Sequence, residues 1–256
     1  MRVWMKIITF AKGNMIGEYF RFRQFVVRHD RSSMRVGTDA VLLGAWAGGD
    51  ESALFPGAKI LDVGCGCGLI ALMVAQRFDG SQVLGLDIDT DSVVEARENA
   101  LSSPFADRVD FCQADVRVFA KESSGAAYSL IVCNPPYYTE DTLPPDQRRS
   151  MARNALHLSF AELLQSVCRL MAEDGRFAVV IPMQARGDFV SLSMKMGLYV
   201  QRECRVQTVL RKTPKRVLLE FGFQMNTDIK ISSLILQDST GGRSSEYSLL
   251  CGDFYL

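Results

Sequence analysis

The sequence predicts an α/β fold built on a seven-stranded, mostly parallel sheet with helices on both faces and an antiparallel pair at one edge. Three observations predict it. From residue 59 onward, short apolar runs alternate with stretches whose apolar residues recur at helical spacing, the pattern of a parallel sheet wound with helices. A glycine-rich turn, Gly64-Cys65-Gly66-Cys67-Gly68, joins the first of these strands to the first of these helices. After residue 182 the pattern changes to two strand-like runs around the turn-like Lys212-Thr213-Pro214-Lys215, which reads as an antiparallel pair.

Taken in order, a helix over 38–47 precedes the alternating region. Strands follow at 59–63, 82–87, 109–115, 128–134 and 176–181, with helices at 69–78, 91–101 and 159–172 between them. Asp91 and Ser159 are helix starts, because a short side-chain oxygen there accepts a first-turn N–H, and Gly175 is the stop of the third helix. A helix over 187–196 and strands over 198–209 and 217–223 complete the sheet. The tail adds two short strand-like pieces, 229–236 and 246–250. One domain is expected over 1–256, divided into a leader (1–19), an N-terminal cap (20–57), a catalytic core (58–225) and a C-terminal tail (226–256), since this length fits a single core. No internal repeat or low-complexity segment interrupts it.

Composition excludes several classes. With 48% hydrophobic and 23% charged residues the chain is ordinary globular protein, neither disordered nor fibrous. The opening stretch is broken by Arg2, Lys6 and Lys12, and no run approaches the roughly 18 apolar residues of a membrane span. Seven scattered cysteines without a C-x-x-C pair speak against a disulfide framework and structural zinc, so a reduced cytoplasmic protein without metal is expected. Formal net charge is zero, but 14 of the 29 Lys and Arg fall in 21–35, 148–153 and 202–216, where only Asp30 and Glu203 oppose them. These segments are either solvated surface or a phosphate-binding rim around the site.

The run Leu61-Asp62-Val63-Gly64-Cys65-Gly66-Cys67-Gly68-Leu69 carries the first chemistry. Its glycines allow a sharp turn and close ligand approach, and the following helix offers unpaired N–H groups. The spacing is G-x-G-x-G preceded by an acid, unlike the G-x-G-x-x-G of dinucleotide sites, and suits S-adenosyl-L-methionine better. Asp87 ends the next strand about 20 residues on, where a carboxylate accepts both hydroxyls of a ribose. Asp115 closes the third strand at the same sheet edge and suits an adenine amine. Asp89 and Asp91 nearby read as a turn residue and a helix cap instead.

The fourth strand runs into Asn134-Pro135-Pro136-Tyr137. Consecutive prolines fix two φ angles and hold their neighbours extended, so the carbonyls are rigidly aimed. The Asn134 side-chain oxygen and the Pro135 carbonyl would each take one N–H of an adenine amine, turning the nitrogen lone pair toward a methyl donor without a strong base. Tyr137 offers a face for a flipped-out base.

These residues resemble the class I, Rossmann-like methyltransferases that modify amino or amide nitrogens. The upstream block Phe22-Arg23-Gln24-Phe25, His29, Met34-Arg35-Val36-Gly37-Thr38-Asp39-Ala40-Val41-Leu42-Leu43-Gly44-Ala45-Trp46 narrows the resemblance over about 20–240. It is similar to the bacterial tRNA adenine-N6 methyltransferases acting on the adenine 3′ of the anticodon of a valine tRNA. The resemblance implies a cytoplasmic enzyme, monomeric or weakly associated, with tRNA as partner. It implies that Gly64, Gly66 and Gly68 line the methionine end of the cofactor, Asp87 the ribose, Asp115 the adenine ring, and Asn134, Pro135, Pro136 and Tyr137 the target base. Arg35, Gly37 and Thr38 would pack over the cofactor. Residues 1–14 read as an added leader or as sequence upstream of a start at Met15.

Two alternatives compete. A protein glutamine N5-methyltransferase acting on release factors uses the same Asn-Pro-Pro-Tyr but carries a separate helical domain ahead of the glycine loop, and here only about 60 residues precede it. A non-catalytic cofactor- or RNA-binding module would be free to lose Asn134 and Tyr137, and both are present.

Overall fold

The computed structural model describes residues 15–16, 19–32, 35–49, 57–125, 127–135 and 158–256. A small antiparallel sheet comes first, made of β1 (Met15–Ile16), β2 (Tyr19–Arg21) and β3 (Val26–Arg28), and helix α1 (Thr38–Trp46) follows. The alternating region then runs β4 (Lys59–Val63), α2 (Leu69–Arg77), β5 (Gln82–Asp87), α3 (Thr90–Leu101), β6 (Val109–Gln113), α4 (Val116–Glu122) and β7 (Tyr128–Cys133). After α5 (Phe160–Leu170) come β8 (Met171–Pro182), α6 (Arg186–Lys195), β9 (Tyr199–Gln207), β10 (Arg216–Gly222), β11 (Lys230–Ile235) and α7 (Ser245–Cys251).

The main sheet has the order β11-β9-β10-β8-β7-β4-β5-β6, and β10 alone runs against both of its neighbours. Seven of its strands are those the sequence predicts. The eighth, β11, comes from the tail and pairs parallel to β9 outside the antiparallel pair. Every strand but β10 therefore points its carboxyl end to one edge.

Alternating side chains build two cores, one on each face. Ile60, Leu130, Val132, Ala178, Val180 and Leu218 turn toward α1, α2 and α3, where the N-terminal sheet and α7 also pack. Leu61, Val63, Ile131, Phe177, Val179 and Leu219 turn the other way, toward α4, α5 and α6. Near-continuous apolar strands are what a sheet covered on both faces requires. The edge of the first core is aromatic: Phe20, Phe22, Phe25 and Tyr255 stack within 4.7 to 6.2 Å of one another, joining β2 to the end of the chain.

Four local expectations are corrected. The helix over 90–101 is capped by Asp89, whose Oδ2 accepts the Ser92 N–H, so Asp91 lies within the first turn. Strand β6 stops at Gln113, two residues short of the expected end, because Asp115 caps the short helix α4, which is absent from the expected elements. Helix α5 ends at Leu170. Met171, buried in the second core, already pairs with Tyr128 in the sheet, and Gly175 lies inside β8, where a Cβ would stand 2.8 Å from the Tyr128 carbonyl oxygen. Residues 246–250 belong to helix α7, because Ser244 caps the Tyr247 N–H and burial of Tyr247 and Cys251 follows a helical, four-residue spacing.

Candidate active site

The register of three parallel strands assembles the site. Val63 pairs with Leu86 on one side and with Cys133 on the other, so the next residues, Gly64, Asp87 and Asn134, lie side by side at the strand ends. Asp87 pairs with Gln113, and the Ala114 N–H donates to the Asp87 carbonyl at 2.9 Å, which brings Asp115 to the same edge. Ligands of parallel sheets sit at this edge, beyond the strand carboxyl ends.

The glycine loop divides by what surrounds it. Gly64, Gly66 and Gly68 all have positive φ, at 71°, 53° and 82°. A Cβ at Gly68 would lie 2.7 Å from the Phe111 ring, so that glycine serves packing, as does Gly85, where the same ring would be 2.3 Å away. A Cβ at Gly64 or Gly66 would meet nothing within 4 Å among the described residues. Those two present bare backbone to an open cradle. The loop is pinned by Gly64 and Cys65 N–H groups donating to the Leu86 carbonyl and by the Gly66 N–H donating to Asp87 Oδ2 at 2.8 Å.

Asp62 lies fully buried beneath this cradle. Its Oδ2 accepts the Ala71 N–H at 3.1 Å, while Oδ1 has no partner among the described residues. Burial pushes its carboxyl up to about 7. A buried acceptor without a donor calls for one, and a cationic amino group at the cradle would supply it. Asp87 is half-buried; Oδ2 takes the Gly66 N–H and Oδ1 the Asp89 N–H at 3.0 Å, which fixes the carboxylate and leaves lone pairs for two hydroxyls. Bare backbone, an orphaned acid and a preset carboxylate together fit a cofactor bearing an amino group and a ribose. Cys65, Cys67 and Cys133 are buried thiols raised by that burial, Cys67 to about 12, so they stay protonated.

Asp115 is held differently. Oδ1 accepts the Arg117 backbone N–H at 2.8 Å, and the Arg117 guanidinium spans both oxygens, with Nε at 2.9 and 3.0 Å and Nη2 at 2.6 Å. Arg117 also reaches Glu162 Oε1 at 3.0 Å, and Glu162 forms a capping box with Ser159 at the start of α5. The hydrogen bonds from Arg117 hold the Asp115 carboxyl below its ordinary value. Neither Arg117 nor Glu162 stood out in the sequence; an arginine two residues after a strand-end acid was the signal available. Asn134 is half-buried and Pro135 buried, while Pro136, Tyr137 and the segments 139–147 and 148–153 lie outside the described residues.

The segment before α1 borders the same region. The Asp30, Arg31 and Ser32 N–H groups all donate to the buried Glu95 of α3, and Asn99 ties Arg28 to the Cys67 carbonyl of the glycine loop. His29, buried between them, has no partner on either ring nitrogen among the described residues, and burial lowers its pKa. Gly37 is the N-cap of α1, with exposed Arg35 before it and half-buried Thr38 after it. Asp39 then accepts Arg216 Nε at 2.8 Å, which fastens the start of α1 to the start of β10 at the carboxyl edge.

Several arginines of the basic segments are held by partners within the chain. Arg202 pairs with buried Glu220 and lies 4.2 Å from the Trp46 ring, and Arg205 pairs with buried Glu203. Arg31 pairs with Glu98, and Arg23 Nε donates to the Tyr255 carbonyl. Among the described residues no helix is long and apolar enough to cross a membrane, and no three His, Cys, Asp or Glu side chains gather as a metal site.

Comparison with known proteins agrees with this geometry. A family described as a methyltransferase domain matches residues 54–211. A tRNA1(Val) (adenine(37)-N6)-methyltransferase of Bacteroides fragilis is 41% identical over 93% of this chain and 98% of its own. The protein of that name from Phocaeicola vulgatus is 39% identical over 94% and 99%, and that from Klebsiella pneumoniae 37% over 93% and 94%. Among solved structures, one described as a predicted O-methyltransferase from Agrobacterium tumefaciens superposes with a TM-score of 0.63 at 17% identity, covering 84% of this chain and 96% of that one. A geranyl diphosphate methyltransferase gives 0.52 at 14%, covering 72% and 77%. These structures share the class I methyltransferase fold.

Proposed function

From the premise that this chain belongs to the tRNA1(Val) (adenine(37)-N6)-methyltransferase family, we propose that it methylates the exocyclic N6 amine of an adenine in tRNA, next to the anticodon of a valine tRNA. The observation that carries the reading is the side-by-side placement of Gly64, Asp87 and Asn134 at the carboxyl ends of neighbouring strands, which puts an open cradle, a ribose-type carboxylate and an amide acceptor at one edge.

Bound S-adenosyl-L-methionine supplies an electrophilic methyl group on a sulfonium. Gly64, Gly66 and the buried Asp62 would hold its amino-acid end, Asp87 its ribose and Asp115 its adenine amine, with Arg35, Gly37 and Thr38 covering it. The Asn134 side-chain oxygen and the Pro135 carbonyl would each accept one N–H of the target amine, which orients the nitrogen lone pair toward the donor. Pro136 would keep that turn extended and Tyr137 would stack on the base. Neither acceptor is a base, so the proton lost after transfer leaves to water.

Methyl transfer from labelled cofactor to bulk tRNA, to ribosomal RNA and to peptides separates the substrate classes, and tRNA alone is expected to take label. Asn134→Ala should keep cofactor affinity and lower turnover on the order of 100-fold, as the loss of one preorganised polar contact does elsewhere. Near-normal turnover in that variant would remove Asn134 from the mechanism.

A further inference from the structure

The loop between β9 and β10 stands at the carboxyl edge, the edge where Asn134 leaves the sheet. From Cys204 to Leu219 the chain has no acidic residue and five basic ones. Two of the five are held in ion pairs: Arg205 on Glu203 and Arg216 on Asp39. The other three, Arg211, Lys212 and Lys215, are exposed, and none pairs with a carboxylate among the described residues. Leu210 beside them is 71% exposed, so the loop tip stands clear of the body.

The loop is nonetheless braced at its base. The Lys215 N–H donates to the Val206 carbonyl, and the Lys215 carbonyl accepts the Met183 N–H beyond β8, both at 3.0 Å. On the far side the Leu236 and Gln237 N–H groups donate to the Gln207 and Thr208 carbonyls. Strand β8 pairs with β7 as far as Val179 opposite Cys133 and then runs on to Pro182, opposite Arg216. Lys215 therefore sits about three residues above the level of Asn134, near 10 Å, and two strands to its side, again about 10 Å. The diagonal, roughly 14 Å, is the axial length of about four stacked nucleotides.

We propose that Arg211, Lys212 and Lys215 form a raised cationic rim that grips the RNA phosphates a few nucleotides from the methylated base, and that Arg202, Arg205 and Arg216 take no part in RNA binding. This rests on the reading of tRNA as substrate. The rim fits a phosphate backbone: it is braced, its three charged side chains are donors only, and no aromatic residue lies between Cys204 and Leu219 to stack on a base.

The test is an R211A/K212A/K215A variant, with K59A/K195A at the opposite edge as its control. Binding of bulk tRNA is measured against salt, together with KM for tRNA, cofactor affinity and Tm. The expected result is a KM raised on the order of tenfold and a log–log salt slope shallower by about 2, for three lost contacts to a single strand. Cofactor affinity and Tm should stay at parent values, and the control pair should match the parent throughout. A triple variant with parent KM and parent salt slope overturns the rim and leaves the substrate reading intact. A parent protein that neither binds nor methylates tRNA overturns both.

Discussion

The carboxylates at the ends of β5 and β6, both assigned to one nucleoside in the proposed function, are held in opposite ways. Among the described residues Asp87 is fixed by backbone groups, the Gly66 and Asp89 N–H, and no side chain occupies its carboxylate. Asp115 is enclosed by a guanidinium that is itself anchored on Glu162 of α5. The first arrangement is a preset acceptor whose geometry the loop dictates. The second ties Asp115, one wall of the proposed cofactor site, to the start of α5. A strand-end acid is thus one sequence signal with two physical meanings, and substitution should separate them.

The largest effect should come from Asp87. Removing its carboxylate in Asp87→Ala would delete two charge-assisted bonds to ribose hydroxyls, each worth about 1.5–3 kcal/mol before additivity fails, and would also release the Gly66 N–H. Calorimetry should show cofactor affinity lower on the order of 100-fold or more. Unchanged affinity would mean that the cofactor does not lie over β5, and the contrast with Asp115 would lose its basis.

A second effect belongs to the buried acid under the same cradle. Because Asp62 is raised to about 7, its protonated form is favoured in the folded protein. That contribution to stability is fully present below the ordinary carboxyl range and is lost as pH rises toward 7. A cationic amino group docking on Oδ1 would draw the proton off, so cofactor affinity should rise between about pH 5 and pH 7 and level off near pH 8, where an α-amino group begins to deprotonate. Proton release on binding, read by calorimetry in buffers of different ionisation heat, should vanish in Asp62→Asn. Release that persists in that variant would place the amino group elsewhere.

The same contrast explains what could be read from the chain and what could not. Asp87, Gly64 and Gly66 were legible because local spacing along one strand and one turn determines their geometry. Strand periodicity likewise located seven strands of the sheet, since Leu61, Ile131 and Phe177 must alternate with Ile60, Leu130 and Ala178 across two cores. The Arg117–Glu162 bond spans 45 residues, and the Asp39–Arg216 pair spans 177. No local pattern announces such partners, and the arginines of 202–216 could not be sorted into internal and exposed ones before the strands were paired. Helix α7 hid for a different reason: seven residues show too few turns for period and alternation to be told apart.

The smallest expected effect tests the enclosed carboxylate. Hydrogen bonds from Arg117 depress the Asp115 carboxyl, so the ionised form is favoured in the folded protein; its contribution is present above the ordinary carboxyl range and is lost only as pH falls through the lowered value. In Arg117→Ala the carboxyl returns upward, and an adenine amine that needs an ionised acceptor would lose it at a higher pH. Near pH 8 the variant should bind cofactor within a few-fold of the parent, while the lower acid limb of its affinity profile, the one below the limb that Asp62 sets, moves to higher pH. Arg117→Lys keeps the charge and surrenders the two-pronged grip, so its acid limb should fall between the two. Tm should change little, because the lost contact to Glu162 is partly exposed and such pairs contribute about 1 kcal/mol or less. A merely structural arginine would lower Tm and leave the pH profile where it was. An unmoved acid limb in both variants would show that Asp115 is only the cap of α4, and Asp87 would then be the sole carboxylate at these strand ends that meets the nucleoside.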